Sequence, residues 1–162
     1  MSKVQAVDID GNYHEASIDE VSWRVHAYAV TLEGGSILLS PQHREGSYDL
    51  PGGKVELGEQ VEDGLIREVF EETGIKVRPV RLLAMRDNFF KVTFREPQEV
   101  WHSVMMYYLC EKVGGHISTT GFGEHEKAYA QEAEWIPLDT LKDITPAASY
   151  DYRTIITDTL KK

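Results

Sequence analysis

Three glutamates between positions 53 and 75 have a spacing that suits metal and phosphate chemistry. Glu68 is followed three and four residues later by Glu71 and Glu72. Because helical residues advance by roughly 100° each, the three carboxylates would lie within roughly 100° of one another on one face. Like charges at this spacing repel, and a shared cation removes the repulsion. Oxygen ligands at this density favour Mg²⁺ or Mn²⁺.

A helix must position these acids, and the sequence predicts one over Val61–Thr73. This stretch contains no proline, and Leu65 and Val69 continue an apolar stripe that begins at its first residue. The carboxylates border that stripe, so we expect them beside the core and not on the far solvent side. Gly74 follows the helix, where a glycine can end it in the left-handed conformation.

A loop rich in turn formers precedes the helix, and we call residues Leu50–Gly58 the glycine loop. Gly52 and Gly53 let the backbone approach a ligand closely. A divalent metal beside such a loop would neutralise phosphate oxygens while a carboxylate orients or deprotonates a water. A solvated acidic helix face is the alternative interpretation, and the glycines and Arg67 at fixed spacing argue against it.

The whole stretch from Gly53 to Ile75 reads Gly-x5-Glu-x7-Arg-Glu-Val-x-Glu-Glu-x-Gly-Ile. It resembles the signature of the Nudix hydrolases, with the fixed positions Gly53, Glu59, Arg67, Glu68, Val69, Glu71, Glu72 and Gly74. A chance match at so many defined positions is rare. The resemblance extends over Val25 to Leu141. It implies an α/β fold, an α/β/α sandwich whose mixed β-sheet carries the motif as loop, helix and loop.

The resemblance also implies roles for individual residues. Glu68 and Glu72 are the first expected metal ligands, Glu71 is the next, and the carbonyl oxygen of Gly52 completes the set. Glu68 is the leading catalytic base. Glu132 is the alternative base, because many family members place an extra glutamate in the loop before a late strand; a solvated loop acid is the other interpretation of this residue.

Other motif positions are expected to shape the site and not to react. The resemblance implies an ion pair between Glu59 and Arg67 that holds the loop against the helix. Gly53 and Gly74 are expected to be structural as well. Arg44 precedes the glycine loop, where related proteins often carry a basic residue, so it is a candidate phosphate contact or a simple loop charge.

The remaining elements follow from alternating apolar residues and turn signals. The predicted strands after the N-terminal hairpin are Trp23–Leu32, Ser36–Ser40, Tyr48–Leu50, Lys76–Arg86, Ser103–Lys112 and Glu134–Leu138, and the C-terminal helix is Ala147–Leu160. Four aromatic residues are expected between the two longest strands: Phe89, Phe90, Phe94 and Trp101. Packing is the favoured role for them, and stacking on a base is the alternative.

The length and the charge of the chain limit the functions that it can have. The 162 residues are expected to form a single domain, with residues 1–20 as an N-terminal β-hairpin extension. The net charge of −10 and the lack of a basic run make nucleic acid an unexpected partner. No signal segment or membrane-spanning stretch is recognised, so a cytoplasmic location is expected. The hairpin could pack on its own domain or exchange with a partner, so a homodimer is a hypothesis.

The sequence therefore predicts a metal-dependent hydrolase that cleaves the diphosphate linkage of a nucleoside diphosphate linked to another moiety. The cofactor is Mg²⁺ or Mn²⁺, and the partner is a small diphosphate, expected to be a nucleotide. Nucleoside triphosphates are the first candidate substrates, followed by nucleotide sugars such as ADP-ribose. A nucleotide-sensing module without turnover is the alternative from another class, and a diphosphate isomerase is a third. The intact carboxylate set favours the enzyme.

Overall fold

The computed structural model describes residues 2–42, 46–93, 96–118, 131–147 and 150–161. The strands, in chain order, are β1 (Lys3–Val7), β2 (Tyr13–Ser17), β3 (Val21–Glu33), β4 (Ser36–Pro41), β5 (Ser47–Asp49), β6 (Gly52–Lys54), β7 (Ile75–Val92), β8 (Glu99–Gly115), β9 (Glu134–Pro137) and β10 (Thr145–Pro146). The helices are α1 (Val61–Thr73) and α2 (Arg153–Leu160), and 3₁₀ turns occupy Ile18–Glu20 and Leu138–Asp143.

The strands form a mixed sheet in the order β10-β5-β4-β3-β8-β7-β1-β2, with β6 paired to β3 and β9 paired to β4. The centre of the sheet is the parallel pair β3 and β8, which is in register from Val21 opposite Val100 to Thr31 opposite Cys110. Strand β7 continues the sheet antiparallel to β8. The short strand β6 therefore places the start of the glycine loop on a central strand.

Each face of the sheet is covered by one helix, because alternate residues of a strand point to opposite faces. Ala27 and Ala29 of β3 pack in one buried cluster with Leu65 and Val69 of α1. Val30 of β3 belongs to the other cluster, which contains the buried residues of α2. The expected α/β/α sandwich with a mixed sheet is confirmed.

Helix α1 has the bounds that the sequence predicts. Its Leu65 and Val69 are 0% exposed, and burying side chains of this size contributes about 1.5–3 kcal/mol each. The helix ends at Gly74, whose φ of 73° lies in the left-handed region, and the Gly74 N–H donates to the Phe70 carbonyl oxygen at 2.8 Å. The apolar stripe and the terminal glycine are local signals, which explains the agreement.

The C-terminal helix is shorter than predicted, because α2 begins at Arg153 and not at Ala147. The preceding strand β10 pairs with β5, and the Ala147 N–H donates to the carbonyl oxygen of Tyr48 at 2.8 Å. These contacts hold the chain extended. Asp151 then accepts a hydrogen bond from the Arg153 N–H at 3.0 Å, which satisfies one of the free donors at the new helix start.

The two longest strands extend beyond their predicted ends, and this corrects the placement of three aromatic residues. Phe89 and Phe90 lie within β7, and Trp101 lies within β8. Phe90 stands opposite Trp101 in the ladder, with ring centroids 6.2 Å apart. Aromatic pairs across strands favour sheet structure, so these residues extend the hairpin and do not interrupt it. Phe94 lies outside the described residues.

The N-terminal hairpin is present as predicted, with β1 antiparallel to β2. The carboxylate of Asp8 accepts hydrogen bonds from the N–H groups of Asp10 at 2.9 Å and Asn12 at 2.8 Å, which closes the turn. The hairpin packs on its own sheet, where Val7 pairs with Phe90. A homodimer and the single-domain assignment stay predictions.

Candidate active site

The glycine loop lies directly against the C-terminal half of α1. The Gly52 N–H donates to Oε2 of Glu72 at 3.1 Å. Gly52 also stands opposite Tyr28 in the pairing of β6 with β3. A Cβ at Gly52 would lie 2.1 Å from the carbonyl oxygen of Ala27, so only glycine allows this approach. Because Gly52 has no side chain, the loop backbone can lie against the sheet and next to the carboxylate of Glu72.

Gly53 leaves room for the second carboxylate. A Cβ at Gly53 would lie 2.6 Å from Oε2 of Glu68. The same loop backbone therefore borders Glu68 at one glycine and Glu72 at the next. The structure brings Gly52, Gly53, Glu68 and Glu72 together, as the sequence predicts.

Arg67 connects the glycine loop to α1. Its Nε donates to Oε1 of Glu59 at 2.9 Å, and its Nη2 donates to Oε2 of the same carboxylate at 3.0 Å. Nη2 also donates to the carbonyl oxygen of Lys54 at 3.1 Å. The ion pair implied by the resemblance is present. Hydrogen bonds from Arg67 are the main reason that the pKa of Glu59 falls to about 2, and the same pairing raises the pKa of Arg67.

Arg67 also contacts two of the candidate ligands. Its Nη1 donates to Oε1 of Glu68 at 2.7 Å and to Oε2 of Glu71 at 3.1 Å. The two carboxylates differ in burial, since the side chain of Glu68 is 19% exposed and that of Glu71 is 45% exposed. Glu68 is thus oriented between Arg67 and Gly53, while Glu71 lies at the rim. Sequence reasoning missed these contacts, although the spacing of Arg67 and Glu71 is that of a helical ion pair.

The donor set suits a hard divalent cation. Among the residues that the structure describes, no three His, Cys, Asp or Glu side chains are grouped closely enough to hold a metal ion by themselves. Mg²⁺ commonly uses only one or two carboxylates and completes its octahedron with waters and substrate phosphates. Glu68 and Glu72 beside the Gly52 backbone fit that requirement. The ligand assignments, including Glu71, stay predictions.

Two residues beside this site were missed by sequence reasoning. Burial raises the pKa of Asp49 to about 7, and its carboxylate accepts a hydrogen bond from the Leu50 N–H at 2.8 Å. Burial also raises the pKa of Tyr28 well above its ordinary value, and the charges of Asp49, Glu72 and Glu68 add to this rise. The side chain of Tyr28 packs against the buried cluster that contains residues of α2. For Asp49, the sequence offered one signal, which was an acid inside the predicted strand Tyr48–Leu50.

Glu132, the alternative base, is not brought into this cluster. Glu132 is exposed in the coil before β9, and no contact with the acids of α1 is recorded for it in the described part of the chain. Arg44 lies outside the described residues. Cys110 is buried, and burial raises the pKa of its thiol to about 12, which agrees with a core role. In the described ranges, no helix is both long and apolar enough to cross a membrane.

Comparison with known proteins supports the motif assignment. Residues 22–157 match the sequence model of the NUDIX domain. An ADP-ribose pyrophosphatase of Methanocaldococcus jannaschii is 31% identical over 172 residues, which cover 98% of this chain and 92% of that protein. The NAD-capped RNA hydrolase NudC of Edwardsiella ictaluri is 30% identical over 119 residues. That match covers 74% of this chain but only 40% of NudC, so the chain spans less than half the length of such relatives.

A solved structure agrees with these matches. The crystal structure of a MutT NUDIX hydrolase from Burkholderia pseudomallei superposes with a TM-score of 0.54 at 30% identity, covering 73% of this chain and 85% of that one. The family match includes the glycine loop, α1 and the strands that position them. The chain belongs to the Nudix hydrolase family.

Proposed function

We propose that this Nudix hydrolase cleaves the diphosphate linkage of a nucleoside diphosphate joined to another moiety, with an ADP-ribose-like nucleotide sugar as the first candidate substrate. The observation that carries the proposal is the position of Glu68 and Glu72 against the backbone of Gly52 and Gly53. Two carboxylates beside an open backbone can hold a cation and leave space for phosphate oxygens. The enzyme would be a pyrophosphohydrolase.

The side chains divide the chemistry between them. A bound Mg²⁺ or Mn²⁺ would supply neutralisation of the diphosphate and polarisation of a water. Arg67 holds Oε1 of Glu68 and favours the ionised carboxylate. Oε2 of Glu68 stays on the side of Gly53, where it would accept a proton from the attacking water. Glu132 is the alternative base, and the exposed coil before β9 would have to bring it to the site.

The reaction balances without any further reactant. The water oxygen attacks one phosphorus of the diphosphate, and the bond from that phosphorus to the bridging oxygen breaks. The bridging oxygen leaves with the other phosphate. An ADP-ribose-like substrate would therefore give AMP and a sugar phosphate, with the released proton passing to the base and then to solvent.

Two observations favour a nucleotide sugar as the substrate over a nucleoside triphosphate or RNA. The relative named ADP-ribose pyrophosphatase matches over 98% of this chain and 92% of its own length, so the comparison includes the segments outside the motif. The net charge of −10 disfavours binding along a nucleic-acid backbone. Nucleoside triphosphates are the first candidate substrates from the sequence alone. With these observations they become the second candidate. A cytoplasmic location and a homodimer stay part of the proposal.

A substrate panel tests the proposal. The purified protein would be incubated with ADP-ribose, other nucleoside diphosphate sugars, nucleoside triphosphates and dinucleoside polyphosphates, with Mg²⁺, with Mn²⁺ or with excess chelator. We expect ADP-ribose-like compounds to give two phosphate monoesters only when metal is present. The proposal is wrong if no diphosphate is cleaved under any condition, or if chelation leaves the rate unchanged. Preferred cleavage of triphosphates would replace the first candidate by the second.

A further inference from the structure

A cavity of about 160 Å³ lies between β7 and α2. Its walls include Arg81 and Arg86 from the strand, and Thr154, Asp158 and Thr159 from the helix. Of the described residues, none from the glycine loop or from α1 lines it, and α1 covers the opposite face of the sheet. The cavity is therefore separate from the candidate active site, and the proposed hydrolysis does not use it.

The arginines of this cavity differ from the others in their pairing. Arg81 and Arg86 are the described arginines for which no carboxylate partner is recorded. The other arginines in the described part of the chain each pair with an acid: Arg24 with Glu99, Arg67 with Glu59, Arg78 with Glu111 and Arg153 with Asp151. In a chain with a net charge of −10, two arginines without an acid at one cavity indicate a site for an anion from outside the chain.

The two guanidinium groups are available to different extents. Nε of Arg86 donates to the Tyr150 hydroxyl at 2.8 Å, and its Nη1 donates to the Met85 carbonyl oxygen at 2.8 Å, so this group is fixed and offers Nη2 to a ligand. Arg81 is exposed, and within the described ranges no hydrogen bond of its side chain is recorded. Its whole guanidinium can therefore bind an anion, and the planar fork of that group matches two phosphate oxygens.

The helix side of the cavity presents hydrogen-bond acceptors. The hydroxyls of Thr154 and Thr159 donate to backbone carbonyl oxygens at 3.1 Å and 2.8 Å, so each hydroxyl oxygen is left to accept. The recorded partner of the Asp158 carboxylate is Lys161 at 3.2 Å, beyond the end of the same helix and not across the cavity. The hydroxyl groups of a sugar would supply the hydrogens that these acceptors lack.

The dimensions of the cavity favour a ligand larger than a bare anion. One water needs only about 10–15 Å³ by the same measure, so about 160 Å³ admits a much larger group. Arg81 and Arg86 are five positions apart on an extended strand, which separates their Cα atoms by up to about 16 Å at about 3.3 Å per residue. A phosphate on one guanidinium would reach the other through an attached sugar, and Leu83 and Ile155 line the cavity with apolar surface for its carbon atoms.

We propose that this cavity binds a phosphorylated sugar, with the phosphate on Arg81 and the sugar hydroxyls between Arg86 and the threonine oxygens. The inference goes beyond the proposed function and does not rest on it, because the cavity uses neither a metal nor the acids of α1. A sugar phosphate is also a product of the proposed hydrolysis, so the protein would encounter this ligand during turnover.

Calorimetric titration tests the inference. Ribose-5-phosphate, inorganic phosphate and ribose would each be titrated into the wild-type protein at fixed ionic strength, with excess chelator to keep metal from the acids of α1. We expect ribose-5-phosphate to bind most tightly and ribose least, because the phosphate charge and the sugar hydroxyls both contribute. The inference is overturned if ribose-5-phosphate does not bind, or if it binds no more tightly than inorganic phosphate.

Two variants and a matched control locate the binding. Arg81→Gln should weaken the binding of ribose-5-phosphate about tenfold or more, because it removes charge-assisted hydrogen bonds to the phosphate. Asp158→Asn should tighten it by up to about fivefold, because it removes an exposed negative charge beside the anion. Arg78→Gln changes an exposed arginine of the same strand that pairs with Glu111, so it should leave the affinity unchanged.

The control decides between a site and a general attraction to the basic strand. If Arg81→Gln binds ribose-5-phosphate as tightly as the wild-type protein, or if Arg78→Gln weakens binding as much as Arg81→Gln, the inference is wrong. Because Arg81 is exposed and has no recorded partner in the described residues, its variant should fold, with an unchanged melting temperature without ligand. Binding in chelator does not depend on turnover, so failure of the proposed hydrolysis would leave this result intact, and loss of the site would leave the hydrolysis standing.

Discussion

Along the chain, Asp49 precedes the glycine loop and several glutamates follow it, and the surroundings of these acids differ. On α1, the guanidinium of Arg67 makes five hydrogen bonds that reach Glu59, Glu68, Glu71 and the Lys54 carbonyl oxygen. On β5, Asp49 has no such partner, and burial raises its pKa to about 7. The acids that follow the loop are therefore paired with a guanidinium, while among the described residues no cation contributes to the pKa of the acid that precedes it. Arg67 accounts for the first setting, and burial accounts for the second.

The largest expected effect comes from removing the charge of Glu68. Glu68→Gln should lower kcat for the preferred substrate by about 10²–10⁴-fold, the range for loss of a general base. The amide oxygen can still accept from Arg67, so the melting temperature should stay close to that of the wild-type protein. Kinetics and thermal unfolding would be compared with those of Asp63→Asn, an exposed acid of the same helix. If Glu68→Gln keeps a turnover close to that of the wild-type protein, Glu68 is not the base, and Glu132 is the next candidate.

A smaller loss is expected from displacing Glu68 without changing its charge. In Gly53→Ala the new Cβ would lie 2.6 Å from Oε2 of Glu68, and that flexible side chain would shift. Because a misplacement of about 1 Å can cost about 10²-fold, kcat should fall by about 10–100-fold. Gly114→Ala is the matched control, since its Cβ would meet only Lys76 Cδ at 4.0 Å. Equal activity of the two variants would contradict the geometry.

The pH dependence of stability tests the role of Arg67. Pairing depresses the pKa of Glu59 from its ordinary value of 4.5 to about 2. Its contribution to stability is thus complete above pH 4.5 and is lost as the pH falls through about 2. Arg67→Gln removes the largest cause of this depression, so the variant should be less stable than the wild-type protein at pH 6. That difference in the free energy of unfolding should narrow towards pH 2; a constant difference would count against the ion pair.

The smallest effect is expected at Glu71, which lies at the rim with its side chain 45% exposed. Glu71→Gln should lower kcat/KM by less than about tenfold, because exposed ion pairs contribute little and the carboxylates of Glu68 and Glu72 remain. Steady-state kinetics at several Mg²⁺ concentrations would measure this. A loss as large as that of Glu68→Gln would place Glu71 among the essential ligands and would remove the distinction between rim and centre.

Local signals predicted the helix side of the site well. The bounds of α1 and its ending at Gly74 follow from apolar spacing and from one glycine, both within a short stretch. The pairing of Glu59 with Arg67 was implied by the motif. Nothing in that stretch showed that the same guanidinium also reaches Glu68 and Glu71, because helical spacing gives neighbours but not the direction in which a long side chain points.

Non-local contacts explain what the sequence did not predict. Tyr28 and Gly52 are 24 positions apart, and only the pairing of β3 with β6 brings them opposite each other. The late start of α2 has a similar origin, since β10 pairs with β5 across about 100 positions. The sequence pattern gives the periodicity of each element, whereas these contacts depend on which elements become neighbours.

The central claim is that Glu68 and Glu72 hold a divalent metal against the glycine loop. Titration of Mn²⁺, followed by the paramagnetic resonance signal of the free ion, would measure its dissociation constant for the wild-type protein, Glu72→Gln and the control Asp63→Asn. We predict that Glu72→Gln weakens Mn²⁺ binding at least about tenfold, as expected for loss of a charged ligand, while Asp63→Asn leaves it unchanged. Equal affinity of Glu72→Gln and the wild-type protein would contradict the claim.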